Sequence, residues 1–204
     1  MTNKLDDFRE FVTRKLPRIV SVQSLANGVG KTQFCTELAI NLAELGGRVL
    51  VVDLCADGAL SQRLTGTDYK RIGDALELFT KAPNWLKNRE HFPRYTLLGM
   101  PSKSGHSRVP ICRVESNDLF DAIDNLARLK RHYDVCLFDC PNDFQLLVHI
   151  TTISHRIHFF ERLEVGQMFE DWRVPLFDNF PAKAVPEIFV EDDRANASAL
   201  HQTG

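Results

Sequence analysis

Leu5, Phe8, Phe11, Val12 and Leu16 fall on one side of a helical repeat, and Pro17 ends the pattern, so residues 3–16 are predicted to form an amphipathic helix. The pattern then changes. "RIVSVQS" (18–24) is a short apolar run feeding a glycine turn, and from Lys31 to Leu45 the positions Phe34, Leu38, Leu42 and Leu45 recur at helical spacing before Gly46 and Gly47. "RVLVVDL" (48–54) is almost continuously apolar, as a strand covered on both faces must be. Strand, glycine turn, helix and strand make a βαβ unit, which places the chain in the α/β class.

Further along, "IGDALELFTKA" (72–82) suggests a helix, "YTLLGMPS" (95–102) a strand, and "KSGHSRVPICRVES" (103–116) a loop. Ser116 or Asn117 can cap a helix whose Leu119, Ile123, Leu126 and Leu129 form one face. That helix runs into "RLKRH", a basic run that complements a helix carboxyl end better than it suits DNA. "YDVCLFD" (133–139) is another buried strand. His155, His158 and Glu161 could be spaced as metal ligands on a helix, but a solvated polar face is the favoured reading. The stretch from Pro175 is rich in proline and acids and reads as a loosely held tail.

At 204 residues, with 44% hydrophobic and 25% charged positions, the chain has the size and composition of one globular domain. It has no apolar run of membrane-spanning length and no secretory pattern at the amino terminus, so the expectation is a cytoplasmic protein without a membrane partner. The five cysteines are scattered, which argues for reduced thiols over a disulfide framework or a zinc knuckle. A net charge of −2 offers no bulk attraction to nucleic acid.

The chemistry concentrates in "LANGVGKT" (25–32). A glycine turn between strand and helix presents backbone N–H groups to phosphate at a helix end whose dipole favours anions. Gly28 and Gly30 permit the close approach, Lys31 would set an ammonium against the phosphates, and the Thr32 hydroxyl would hold magnesium. The strict pattern G-x-x-x-x-G-K-[ST] fails at Leu25. Two later strands nevertheless end in acids, Asp53 and Asp139, and the latter could polarise a magnesium-bound water.

These residues resemble the ParA/MinD group of deviant Walker ATPases, whose motifs are K-G-G-V-G-K-T, D-x-D-P-Q and D-x-P-P. The resemblance runs from residue 18 to about 66 and again from 115 to 147. It implies a P-loop NTPase fold, a three-layer α/β/α sandwich around a mostly parallel sheet. With 65 residues after Asp139 and few buried strands among them, the carboxyl-terminal part is expected to be shortened. The division is then a helix (1–17), a nucleotide-binding domain (18–174) and a tail (175–204). Within 151–171, "TTISHRIHFFERLEVGQMFED" resembles the family's last strand and helix.

By resemblance, Asn27, Gly28, Val29, Gly30, Lys31, Thr32 and Gln33 contact ATP, and Thr32, Asp53 and Asp139 hold Mg2+. Lys31, Asp53 and Asp57 are the candidate catalytic residues. The departures carry information as well. The family's signature lysine, which crosses a dimer interface to the partner's phosphates, falls on Ala26, and the next glycine falls on Asn27. The second switch aspartate falls on Cys55, with Asp57 two residues away as a substitute, and the second proline of the last motif falls on Asn142. Nucleotide binding with slow turnover is the expectation.

The resemblance further implies a nucleotide-dependent homodimer, nonspecific DNA binding and a small DNA-binding partner protein, as in a partition or positioning system. The alternatives are a non-hydrolysing interaction module, or a superfamily member serving conjugation, cellulose secretion or cofactor synthesis.

Overall fold

The computed structural model describes residues 4–87, 91–99, 116–161 and 187–192. Its centre is a seven-stranded sheet of β1 (Arg18–Gln23), β2 (Val49–Asp53), β3 (Lys70–Asp74), β4 (Tyr95–Gly99), β5 (Val135–Asp139), β6 (Arg156–Glu161) and β7 (Glu187–Asp192). The spatial order is β3-β4-β2-β5-β1-β6-β7, and every pairing is parallel. The helices are α1 (Lys4–Lys15), α2 (Lys31–Glu44), α3 (Ala59–Arg63), α4 (Ser116–Leu129) and α5 (Phe144–Ile153). This is the three-layer α/β/α sandwich of P-loop NTPases, around a sheet that is parallel throughout among the described residues. No described helix is long and apolar enough to cross a membrane.

The two-residue period of the strands decides which chemistry meets which helix. Leu50, Val52, Cys136 and Phe138 enter one core, with Val12 of α1, Leu16 just after it and residues of α4 and α5. Val20, Val22, Val49, Val51 and Leu137 enter the opposite core, with Cys35 and Ala39 of α2 and Leu60 of α3. Asp53 and Asp139 continue the second series, and β2 and β5 are in a register that sets them side by side. Both carboxylates therefore emerge on the α2 face, at the carboxyl edge where β1 turns into α2. Ser21 and Gln23 lie on the other face. There Gln23 Nε2 donates to Ser21 Oγ (2.9 Å), Ser21 Oγ meets Ser154 Oγ (2.9 Å), and Thr151 Oγ1 donates to Gln23 Oε1 (3.2 Å). This buried polar set is internally partnered, as burial requires.

Several expectations need correction. The helix expected over 72–82 is instead the end of β3, followed by a short 3-10 turn, Ala75–Phe79. Gly73 belongs to the strand, and the Trp85 ring packs so close that a Cβ there would sit 2.4 Å from Trp85 Cδ1. His155 and His158 are not on a helix. His155 precedes β6 and its Nδ1 accepts the Ile19 N–H at 3.0 Å, while His158 lies within β6 against Phe34. The basic run supplies Arg128 to the last turn of α4, as expected, and Lys130 beyond it also serves α1: its Nζ donates to the Arg14 and Leu16 carbonyls at and just past the end of that helix (2.7 and 2.9 Å). Residues 187–192 of the expected tail form an edge strand, and the rest of that tail, the 103–115 loop and the helix expected after β6 lie outside the described residues.

Candidate functional site

The loop Ser24–Gly30 is shaped by short contacts of its own. The Ser24 hydroxyl accepts the Ala26 N–H at 2.8 Å, Val29 is buried against the α2-side core, and Gly28 and Gly30 hold φ of 72° and 91°. Those angles lie in the left-handed region that glycine enters without strain. Gly30 is the N-cap of α2; no side chain caps the helix and no acid stands in its first turn. A helix start with this composition is suited to an anion.

Lys31 opens α2 and folds back over the loop. Its ammonium donates to the Ala26 carbonyl (3.2 Å) and to Asn142 Oδ1 (2.7 Å), and Asn142 Nδ2 donates to Asn27 Oδ1 (2.6 Å). Two positions that depart from the family motifs, Asn27 and Asn142, thus form one hydrogen-bonded bridge with the lysine. Burial lowers the Lys31 pKa, against the opposing pull of Cys55 and Asp139.

Beneath the lysine, Thr32 Oγ1 donates to Asp139 Oδ2 at 2.9 Å. The other oxygen, Asp139 Oδ1, is buried with no hydrogen-bond partner. Asp53 is well partnered: Oδ1 accepts the Cys55 N–H (3.1 Å), and Oδ2 accepts the Ser61 N–H (2.8 Å) and hydroxyl (2.6 Å). Donor atoms of Asp53, Cys55 and Asp139 lie within 4.8 Å of one another. Burial, then the neighbouring Asp53 charge, pushes Asp139 up to about 7, and burial also raises Asp53 despite its three donors. An orphaned buried carboxylate oxygen beside a threonine hydroxyl fits a divalent cation, which would supply the charge that Asp139 lacks.

Of the sequence-derived candidates, Lys31, Thr32, Asp53 and Asp139 converge. Asn27 and Gly28 are exposed at the loop tip. The Gln33 side chain runs along α2 to Glu37 (3.1 Å), so only its backbone faces the anion position. Asp57 stands apart from the trio of Asp53, Cys55 and Asp139. It is exposed, and its Oδ1 accepts the Ala59 N–H at 3.1 Å. Ser61 and Asn142 are the residues that sequence reasoning did not assign to the site. Ser61 lies eight positions after Asp53, on α3, with no motif to mark it.

Two expected results follow. Asp139 binds its proton more tightly in the native state (about 7) than in the unfolded chain (3.8), so below 3.8 its full contribution to stability is present. That contribution is lost as pH rises to about 7. Urea unfolding of the metal-free protein across this range should show the decline, and Asp139→Asn should flatten it; parallel profiles would contradict the assignment. Gly99 closes β4 against the site, where an added Cβ would lie 2.7 Å from Ser61 Oγ. Gly99→Ala should cost about 1–3 kcal/mol by urea denaturation, whereas an unchanged midpoint would contradict that contact.

Residues 18–160, well over half of the chain, match the family described as "Cellulose biosynthesis protein BcsQ". The chain belongs to the BcsQ family. It is thereby a member of the ParA/MinD-like P-loop ATPases, and the matched span includes the glycine loop between β1 and α2 and both acid-tipped strands. This BcsQ-family chain is 29% identical over 143 residues to a putative septum site-determining protein MinD from Emiliania huxleyi. That match covers 66% of the chain and 49% of the relative, so the chain spans about half the relative's length.

Among solved structures, it resembles cobyrinic acid a,c-diamide synthase from Mycobacterium smegmatis, crystallised with an ATP analogue and magnesium. The TM-score is 0.61 at 18% identity, covering 93% of this chain and 83% of that one. It also resembles pNOB8 ParA bound to nonspecific DNA, with a TM-score of 0.56 at 16% identity, covering 86% and 68%. At these identities the structural likeness establishes the fold.

Proposed function

We propose that this chain binds ATP with Mg2+ at the loop between β1 and α2 and hydrolyses it slowly, as a positioning ATPase of a cellulose-producing system. The observation that carries the nucleotide reading is the Thr32–Asp139 pair, with its unpartnered buried oxygen, directly beneath Lys31 at the uncapped start of α2. Family membership supports cellulose synthesis as the setting in preference to DNA partition. The bound ATP analogue and magnesium of the cobyrinic acid synthase support the choice of ligand.

In this reading the backbone N–H groups from Gly28 to Gln33 hold the phosphates, and Lys31 leaves Asn142 to neutralise their charge. Thr32 and Asp139 would hold the cation, with Asp53 as the neighbouring carboxylate, and it would supply electrostatic stabilisation of the transferring phosphoryl group. Cys55 stands where a carboxylate would orient the attacking water, and a protonated thiol does this poorly. In the metal-free protein burial pushes the Cys55 thiol far up, so there it stays protonated. Ala26 offers no charge to a second copy.

Phosphate release measured with and without DNA tests the role. Slow basal release unaffected by DNA, together with loss of extracellular cellulose on gene deletion, is the expected pair. DNA-stimulated release with plasmid loss would favour a partition role and a small DNA-binding partner. Binding without any release would favour the second reading, a non-hydrolysing interaction module, for which Cys55 and Ala26 are the supporting residues.

A further inference from the structure

We infer that Asp53, Cys55 and Asp139 form a binding site for a thiophilic divalent cation of the zinc or cobalt class, occupied without nucleotide. The inference concerns the same pocket as the nucleotide reading but does not depend on ATP binding.

Three observations converge on it. The donor set mixes two carboxylates with one thiol, and its atoms lie within 4.8 Å of one another. A tetrahedral ion with bonds of ~2.0–2.3 Å needs donors roughly 3.3–3.8 Å apart, so a modest contraction closes the site. Asp139 is fully buried and its Oδ1 has no partner, so one donor is already free of competing hydrogen bonds. Asp53 and Asp139 are each held by hydrogen bonds, Asp53 Oδ2 by the Ser61 N–H and hydroxyl, Asp53 Oδ1 by the Cys55 N–H and Asp139 Oδ2 by the Thr32 hydroxyl, and such partners orient ligating carboxylates.

Charge and softness select the ion. On coordination the Cys55 thiol gives its proton to solvent and the sulfur–metal bond forms, which makes three anionic donors. A divalent cation together with the Lys31 ammonium, which lies near enough to interact with both Cys55 and Asp139, balances them inside the protein. Thiolate favours zinc and cobalt over magnesium, and three protein donors leave a fourth position for water or a phosphate oxygen. Cys55 thus has a use that a water-orienting carboxylate would not serve.

The probe is Co2+, titrated into the reduced, nucleotide-free, magnesium-free full chain and followed by absorption. One equivalent should produce a near-ultraviolet thiolate-to-cobalt band that excess Mg2+ does not erase. Cys55→Ser, shown to be folded by circular dichroism, should lose the band and weaken binding by at least ~10-fold, the lower end of what outer-shell changes already cost. As a second measurement, Zn2+ should raise the Tm of the wild type and not of Cys55→Ser. Absence of the band, its persistence in Cys55→Ser, or its removal by Mg2+ at comparable concentration would overturn the inference. ATP binding that survives those outcomes leaves the nucleotide reading standing, and an intact cobalt band without ATP binding rejects only the nucleotide reading.

Discussion

Lys31→Ala is expected to weaken magnesium-ATP binding by roughly 10- to 100-fold, the size of one or two charge-assisted hydrogen bonds to an anion. Lys31 is the first residue of α2, is 8% exposed, and is held over the loop by Asn142 and the Ala26 carbonyl. Its partners in the free protein are neutral amide and carbonyl oxygens, so exchanging them for phosphate oxygens strengthens the contact. Alanine also leaves the Asn142 side chain bonded only to Asn27, which loosens the bridge across the loop mouth. Titration calorimetry reads the effect, with circular dichroism as the check on folding. Equal affinity of the two proteins would remove Lys31 from the site.

Cys55→Asp is the complementary gain. The side chain at this position lies beside Asp53 and Asp139, where the resemblance places a water-orienting carboxylate. A positioned general acid–base group contributes on the order of 10²–10⁴ in rate. Since Ala26 still denies charge to a second copy, the expected rise in phosphate release is at least ~10-fold, below that full range. A third carboxylate beside two buried ones should also lower the stability of the metal-free protein and make it recover on adding Mg2+. Unchanged turnover in Cys55→Asp, with turnover abolished in Asp57→Asn, would transfer the role to Asp57. That outcome would require α3 to release the Asp57 carboxylate from the Ala59 N–H.

Where local pattern and tertiary role agree, the sequence reads directly. β1, α2 and β2 each carry an unbroken period, and the turn between β1 and α2 needs glycine at two positive-φ positions. β5 is legible as a buried apolar run, whereas the face on which Asp139 emerges is set by the structure, where Leu137 enters the α2-side core.

Other elements conflict with their local signals. β3 is an edge strand without alternation and with no fully buried residue, so "ALELF" dominated and the segment resembled a helix. α5 is rich in β-branched residues and apolar around most of its surface. Only the Asp143 N-cap, whose side chain accepts the Leu146 N–H at 2.9 Å, marks its start. His155, just before β6, and His158 within it are three residues apart, a spacing that suits a helix turn, and the pairing of β6 with β1 makes the segment a strand instead. In the site, Ala26 and Cys55 stand out against the motif, but Asn142 lies 111 positions from Lys31 and 115 from Asn27. A polar bridge of that span is set by the fold and leaves no periodic trace.

Calorimetric titration of the unmodified chain with ATP, in Mg2+ and again in EDTA, tests the nucleotide site most directly. The account predicts one saturable site whose affinity depends on Mg2+, because the unpartnered oxygen of Asp139 needs a cation before it can face phosphate. No saturable heat up to millimolar ATP, or the same affinity in EDTA, would contradict it.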